Sequence, residues 1–550
     1  MLKVIILFLF MLAEMVPAIG QIVQVLGDWT YGGISGDGAS NIINDGNYVY
    51  LIGTSGSGIN GNKTAPICNP ALSSPSDQDI WLLKLDLSLN IIWQVRISGN
   101  YSDRDATIQF NNDSTLIYFS CESKSDISCE KSENNRNYPQ YNEYDYWIGA
   151  VDLNGNILWD KTLGGNNVEN SGRMIPLSSG ALMVIGTSNS DSSGDKSVNN
   201  YSIWQDVWIV KTDSIGGKIW DKVYGGTGRD YSDLQHGNVI ALPNNEILIS
   251  CYTTSDQSGT ISEPNYGIGD IWVSRIDSSG MILWENRYGG NKEDYGFDLI
   301  TTNDGGFAIV GSTGSDAGFD VTDTCRGLSD VWLLKLDSIG NKIWDKRYGG
   351  NSHDQGLQVE QFYDGGYLIG GTTKSNQGLD VSEPPYGITD YWLIRTDSSG
   401  NKIWDRRFGG NGGNNYFTSF TVLPDTSILL AGSSDSTISS VKTNAGFGSY
   451  DYWLIRIKEL DTSVNVIYVN ELFDKISIYP NPSSGIIRFV GLNDQIAYNI
   501  QIKDMAGKEV FSRLIFGNES INVDLLESGS YICKFYDKKG LVGVSKLLKY

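Results

Sequence analysis

Three recurring side-chain patterns in this chain could do chemistry. The first is an acid four residues after a turn glycine, at Asp37, Asp103, Glu169, Asp230, Asp294 and Asp354, with Asn414 in the seventh such place. A ring of carboxylates could hold Ca²⁺, which takes about six to eight oxygens. Each acid could instead cap its own turn by accepting backbone N–H groups, and recurrence in every unit favours the cap. The second pattern is an aromatic shortly before a D-x-W triplet: Tyr141, Tyr201, Tyr266, Tyr386 and Phe447, set among Asn, Asp and Ser. A glycan-binding surface needs such rings to stack on sugars and such polar groups to take their hydroxyls. The competing role is a staple that packs each loop on its own unit. Trp204, which lies off the tryptophan repeat, is the best single choice for an exposed stacking residue.

The third pattern is the abundance of loop carboxylates, two of which could serve as the acid and base of a glycoside hydrolase or lyase. Nothing in the sequence selects a pair. The two histidines, His236 and His353, belong to no triad or metal motif, and G-x-S-x-G, H-E-x-x-H and P-loop patterns are absent. Six cysteines show no regular spacing and no C-x-x-C pair. Cys121 and Cys129 are close enough in sequence to close a local loop in an oxidising compartment, and isolated thiols fit as well.

The elements that position these residues are legible as a repeat. D-x-W occurs seven times, with its tryptophans at 81, 147, 208, 272, 332, 392 and 453, spaced by 66, 61, 64, 60, 60 and 61 residues. A second tryptophan recurs at 29, 93, 159, 220, 284, 344 and 404, so 14 of the 15 tryptophans obey the period. A packing tryptophan must appear in every unit, whereas a catalytic one need not, and each buries about 150–250 Å². Each unit reads as four strands, A to D. In the sixth they are DQGLQVEQF, GGYLIGGTT, DYWLIRTD and NKIWDRRFGG, alternating apolar and polar, with Gly- and Asn-containing hairpins between A and B and between C and D. Four strands per unit, repeated, predict a β-propeller. The chain opens with a lone D-type strand, GDWTYGG, and its last unit stops after strand C. The first strand is therefore expected to complete the last blade and close a seven-bladed ring at residues 21–459, removing exposed edges.

The C–D hairpin, as in VWLLKLDSIGNKIWDKRYGG, resembles the repeat of quinoprotein-like propellers, in which a Trp after a Gly-containing hairpin docks on the next blade. Asp-Ser-x-Gly-Asn stands where that family more often has Thr-Gly, and an adjacent Cys pair is missing, so quinone binding does not carry over. After the repeats, Tyr479-Pro480-Asn481-Pro482, Gly485, Gly529, Tyr531, Lys546 and Lys549 resemble the type A C-terminal sorting domain of the type IX secretion system. The resemblance implies a small Ig-like β-sandwich at 474–550, after a linker at 460–473, that partners the secretion machinery and carries its cargo across the outer membrane.

Residues 1–20, MLKVIILFLFMLAEMVPAIG, have the charged start, short apolar core and small-x-small end of a secretory signal peptide. No other segment is apolar enough to span a bilayer as a helix. The formal net charge of -23 disfavours a nucleic-acid partner. The all-β chain is thus expected to be secreted, or held on the outer surface of a Gram-negative cell. It is expected to bind polysaccharide or protein through the face carrying the long D–A and B–C loops. A carbohydrate-active enzyme and a structural or adhesive surface protein are the alternatives.

Overall fold

A computed structural model of the chain describes residues 22–460 apart from 69–77, 137–142, 232–238, 363 and 440, and residues 476–549 apart from 480–482, 484, 491, 493–495, 505–507, 518 and 539. The expected leader, residues 461–473 of the expected linker, and His236 lie outside the described residues. The chain divides into two compact units at residue 461.

The first unit is built of seven antiparallel sheets, numbered 1 to 7 in chain order. Their strands A are Asp37–Asn44, Asp103–Phe110, Glu169–Pro176, Asp230–Tyr231 with Val239–Leu242, Asp294–Thr301, Asp354–Gln361 and Asn415–Val422. Strands B, C and D follow in order within sheets 1 to 6. Sheet 7 takes its outer strand from the other end of the chain: Ile22–Tyr31 pairs antiparallel with Asp451–Leu460, Trp29 opposite Leu454. Strand A of each sheet packs on the sheet before it, and the last sheet packs on the first. The fold is a closed β-propeller, as the repeat and the split last unit predict.

The recurring phrase KIWDKRYGG builds the sheet and its junction with the next, as seen at 342–350. The D-x-W tryptophan, Trp332, is fully buried. Its indole donates to Asp345 at 3.0 Å, and Asp345 also accepts the loop N–H of Thr322 at 3.1 Å. The same clasp recurs around the ring, with Gln94, Asp160, Asp221, Glu285, Asp405 and Asp28 accepting from the tryptophan of their own sheet. The Tyr348 hydroxyl reaches the Gly400 carbonyl in the C–D turn of the next sheet, at 2.5 Å. Trp344 packs beneath that same turn, where a Cβ on Gly400 would lie 2.9 Å from its ring.

Strand A carries a further device. A β-bulge interrupts its pairing just before its fifth residue in sheets 1, 2, 3, 5, 6 and 7. Bulges re-aim side chains, and here they aim polar side chains across the sheet boundary. Asn41, Asp298, Gln358 and Ser419 accept the strand A N–H groups of Ile108, Val359, Phe420 and Ile42 in the following sheet, at 3.2, 2.8, 2.6 and 3.3 Å. The innermost strands are thus stitched side chain to backbone around the axis.

The second unit is two packed sheets, one of three strands and one of four. Its core includes Ile487, Phe489, Ile500, Ile502, Cys533 and Phe535, with Phe489 and Phe535 in edge-to-face contact at 5.2 Å. Cys533 behaves here as a small apolar side chain, and burial pushes its thiol up to about 12.

Gly340 tests the inter-sheet docking. It holds φ +88°, and an added Cβ would sit 2.4 Å from Asn286 and 2.8 Å from Trp284. Gly340→Ala is expected to lower unfolding free energy by about 1–3 kcal/mol, read from urea melts. An unchanged midpoint would mean that the turn does not bear on its neighbour.

Candidate functional site

The acids that open the strands A are all buried and all engaged. Asp37, Asp103, Glu169, Asp230, Asp294 and Asp354 accept the N–H of the turn glycine four residues earlier at 2.7–2.8 Å. They also accept hydroxyls from their own sheets, for instance Ser57 to Asp37 at 2.8 Å and Ser255 to Asp230 at 2.7 Å. In sheet 7 one inserted residue moves this place from Asn414 to Asn415, whose Oδ1 accepts the Ser434 hydroxyl at 2.7 Å. The turn-cap role therefore describes them. No group of three or more His, Cys, Asp or Glu side chains is placed to hold a cation among the described residues. Their oxygens take the turn N–H groups and nearby hydroxyls, except Oδ1 of Asp103 and Asp294, which are buried without a donor among the described residues.

Each of these caps faces the D-x-W aspartate of the preceding sheet. Asp145 meets Glu169, Asp206 meets Asp230, Asp270 meets Asp294, Asp330 meets Asp354, and Asp451 meets Asp37 across the ring closure. Several of the D-x-W oxygens, among them Oδ1 of Asp145, Asp206, Asp270, Asp330 and Asp451, are buried with no donor among the described residues. Two facing buried carboxylates cannot both stay charged, so burial and the facing acid raise them. Asp270 and Asp451 rise to about 6, Asp103 to about 7 and Asp206 to about 8; Asp79 rises to about 6 through burial and the charge of Glu130. In sheet 7 the amide of Asn415 donates to Asp390 at 3.2 Å, supplying the hydrogen that a shared proton supplies elsewhere.

One buried cation per sheet completes this belt. In sheets 4, 5 and 6 it is Arg287, Arg347 or Arg407, paired in strand D opposite the D-x-W tryptophan. Arg287 and Arg407 reach Asp270 and Asp390 at 3.2 and 2.9 Å. Sheets 2, 3 and 7 have Thr162, Val223 and Thr30 in that place. In those sheets a buried B–C loop lysine stands in: Lys131, Lys196 or Lys442. Sheets 4 to 6 carry Ile261, Val321 and Val381 at the lysine position. Sheet 1 has both Lys63 and Arg96, and Arg96 turns away to Glu130 at 2.7 Å.

The predicted aromatics hold the loops above this belt. The backbone N–H groups of Tyr201, Tyr266, Tyr386 and Phe447 donate to the D-x-W aspartates at 2.7–2.9 Å. Arg136 and Arg326 fill the same place in sheets 2 and 5; Tyr141 lies outside the described residues. Tyr266 stacks on Phe319 of the next sheet's loop at 4.8 Å, which is the stapling role. Tyr386 packs half-buried against the core, while Tyr201 and Phe447 remain exposed.

Trp204 is exposed, with the Arg229 guanidinium 5.1 Å from its ring. It is not isolated from the repeat. It stands two residues before the D-x-W aspartate, where sheets 4, 5 and 6 have Ile268, Leu328 and Ile388, exposed by 57%, 64% and 63%. The backbone N–H groups of these three residues bond to the turn that opens the next strand A. Four consecutive sheets therefore present an apolar arc on the loop face. Phe319 and Leu379 add to it at φ +51° and +54°, where glycines 61, 194 and 259 occupy the matching turns. The signal for this arc was present in the sequence as a recurring apolar residue before D-x-W, but its exposure was not.

The loop cysteines pair differently from the local expectation. Cys68 joins Cys129, with Cα atoms 6.1 Å apart, and so ties the B–C loops of sheets 1 and 2; Cys121 is a free thiol buried in strand B. His353 Nδ1 lies 3.1 Å from Ser329 Oγ at the surface.

In the second unit Gly485 accepts the N–H of Val523 at 3.1 Å, the Tyr531 hydroxyl donates to the Glu527 carbonyl at 2.7 Å, and Gly529 pairs with Lys549. Tyr479 and Lys546 sit in strands opposite Arg488 and Ile532, and Pro480, Asn481 and Pro482 lie outside the described residues. Residues 477–549 match the family described as secretion system C-terminal sorting domain. This unit is a secretion sorting domain. The sorting domain makes the chain a secreted or outer-membrane-surface protein of a Gram-negative bacterium.

The regulatory protein FlaEY of Caulobacter vibrioides is 25% identical over 204 residues, 35% of this chain and 21% of that one. The chain thus spans about a fifth of that relative's length. Among solved structures, the polysaccharide lyase Uly1 aligns at TM-score 0.40 and 9% identity over 78% of this chain and 90% of its own. The α-L-arabinofuranosidase Arb93A of Fusarium graminearum aligns at 0.35 and 9% over 64% and 92%. The exo-β-1,3-galactanase 1,3Gal43A of Clostridium thermocellum aligns at 0.29 and 9% over 94% and 92%.

Two outcomes test the belt and its loops. Asp206 holds a proton in the fold up to about pH 8, facing Asp230 and Lys196, whereas an unfolded aspartate loses it near pH 4. Its contribution is complete below about pH 4 and lost as pH rises to about 8. Lys63, Lys196 and Lys442, lowered to about 8 by burial, act with the opposite sign from about pH 8 to 10.5. The thermal midpoint is therefore expected to fall from pH 5 to a minimum near pH 8. Asp230→Asn, copying Asn415, should flatten that fall; a fall as steep as in the unaltered chain would reject the shared proton. Cys68→Ser opens a loop with a sequence separation of 61 residues and should cost up to about 4 kcal/mol in urea melts.

Proposed function

We propose that this protein is a seven-bladed propeller exported by the type IX secretion machinery to bind polysaccharide through its loop face. The observation that carries this reading is the apolar arc of Trp204, Ile268, Leu328 and Ile388 on four successive sheets. Ile268, Leu328 and Ile388 are anchored by their backbone to the next turn, Trp204 bonds Ser202 of its own loop, and all four are surrounded by polar loop residues. A sugar ring offers an apolar C–H face and a rim of hydroxyls, so it suits alternating apolar and polar groups. Tyr201 and Phe447 extend the surface, while Tyr266 and Tyr386 serve it indirectly by holding the loops.

Individual contacts of this kind are weak, and a linear array gains from occupying several at once. The ligand is accordingly an extended chain rather than a single sugar. The net charge of -23 favours neutral or cationic polymers over anionic ones.

A glycan array probed with the full chain, with calcium and again with EDTA, tests this reading. Selective binding is expected, strengthening with oligosaccharide length and insensitive to EDTA. Trp204→Ala should weaken it about tenfold at an unchanged thermal midpoint. A falling midpoint would make Trp204 a packing residue, and an empty array would favour a protein partner or an adhesive surface layer.

A further inference from the structure

The side of the propeller opposite the long loops holds a cavity of about 460 Å³. It is lined by the middle and last residues of strands A from sheets 1, 2, 3, 5, 6 and 7, so it lies in the half of the axial channel nearer the A–B hairpins. Much of its polar lining is occupied by structural work. Asn41, Gln358 and Ser419 stitch neighbouring strands, and Asn44 bonds Thr421 at 2.7 Å.

Three lining groups, Gln109, Glu360 and Arg173, are not accounted for by that stitching. The Gln109 Oε1 is buried with no donor among the described residues. The Glu360 carboxyl is raised by burial alone, with no cation beside it. Asp298, by contrast, spends Oδ2 on Val359 and Oδ1 on Leu299, at 2.8 and 2.9 Å, and is held up to about 8 by burial, with Arg173 the basic group facing it. Arg173 is itself partly buried, and burial lowers it. Phe110 and Phe420 complete the wall with apolar surface.

This lining selects a ligand by its chemistry. Unused acceptors in a recess require a molecule with several donors. Arg173 opposes a cation and the Glu360 carboxyl opposes an anion, so the fitting molecule is neutral. Polar groups set among phenylalanines match a body with both hydroxyls and C–H faces, and the volume suits one or two sugar rings. We infer that the channel is a second binding site, separate from the loop face, for a neutral mono- or disaccharide. The loop face and this recess would take different ligands, an extended polymer and a short free sugar, and neither site depends on the other.

The test is titration calorimetry, with saturation-transfer NMR, on the full chain. The probes are glucose, galactose, mannose, arabinose, N-acetylglucosamine and lactose. One-to-one binding of at least one sugar is expected. Glu360→Gln keeps the side chain's shape and should weaken it about tenfold; Gln109→Leu should do the same, and Trp204→Ala should leave it unchanged. Thermal midpoints of the variants report folding. The inference is overturned if no probe sugar binds, if both channel variants bind as the unaltered chain does, or if Trp204→Ala abolishes binding. It is equally overturned if calcium chloride or lysine, rather than a sugar, binds in a manner lost with Glu360→Gln.

Discussion

A buried carboxylate must be met by a cation, a hydrogen-bond donor or a proton, because leaving it bare costs more than any packing around it returns. This propeller buries thirteen of them at the loop ends of its strands A and C, with seven cations among them. The acids run round the ring in facing pairs, one from each adjoining sheet. Seven positive charges do not neutralise thirteen negative ones, which is why the remaining acids are driven toward protonation. Asn415 shows the same requirement met by covalent chemistry, with an amide hydrogen in place of a shared proton.

The belt also explains how the repeat varies. Its cation comes either from the B–C loop, as Lys131, Lys196 or Lys442, or from strand D, as Arg287, Arg347 or Arg407. Where one position carries the charge, the other is filled by Ile261, Val321 or Val381, or by Thr162, Val223 or Thr30. Charge is held constant while its source moves by a strand. With the belt and the tryptophan clasp fixing the base of every loop, the residues above are released from structural duty. That release is what allows Trp204, Ile268, Leu328 and Ile388 to face solvent on a rigid frame.

Much of this was legible before the structure. The tryptophan period, the hairpin glycines and the missing strand at each end are local features, and each one constrains the closed ring of sheets. The turn-cap role of the strand A acids followed from their recurrence. The Cys68–Cys129 bridge was not legible, because its partners lie in different units and only the stacking of sheets 1 and 2 brings them together. Trp204 was read as standing outside the repeat because only its residue type was unusual; its position was regular.

By itself, the sequence determined the strands, their turns, their order, the closing of the ring and the sorting domain. These depend on alternation, backbone conformational preference and motif spacing, all of which act between neighbours in the chain. Only the tertiary structure decided which acids face each other, which lysine substitutes for which arginine, and that Gln109, Arg173, Asp298 and Glu360 share one recess. Those groups sit on different sheets, tens to hundreds of residues apart. Their meeting depends on sheet twist and on the bulge in six of the strands A, which turns side chains toward the axis and leaves little trace in residue type.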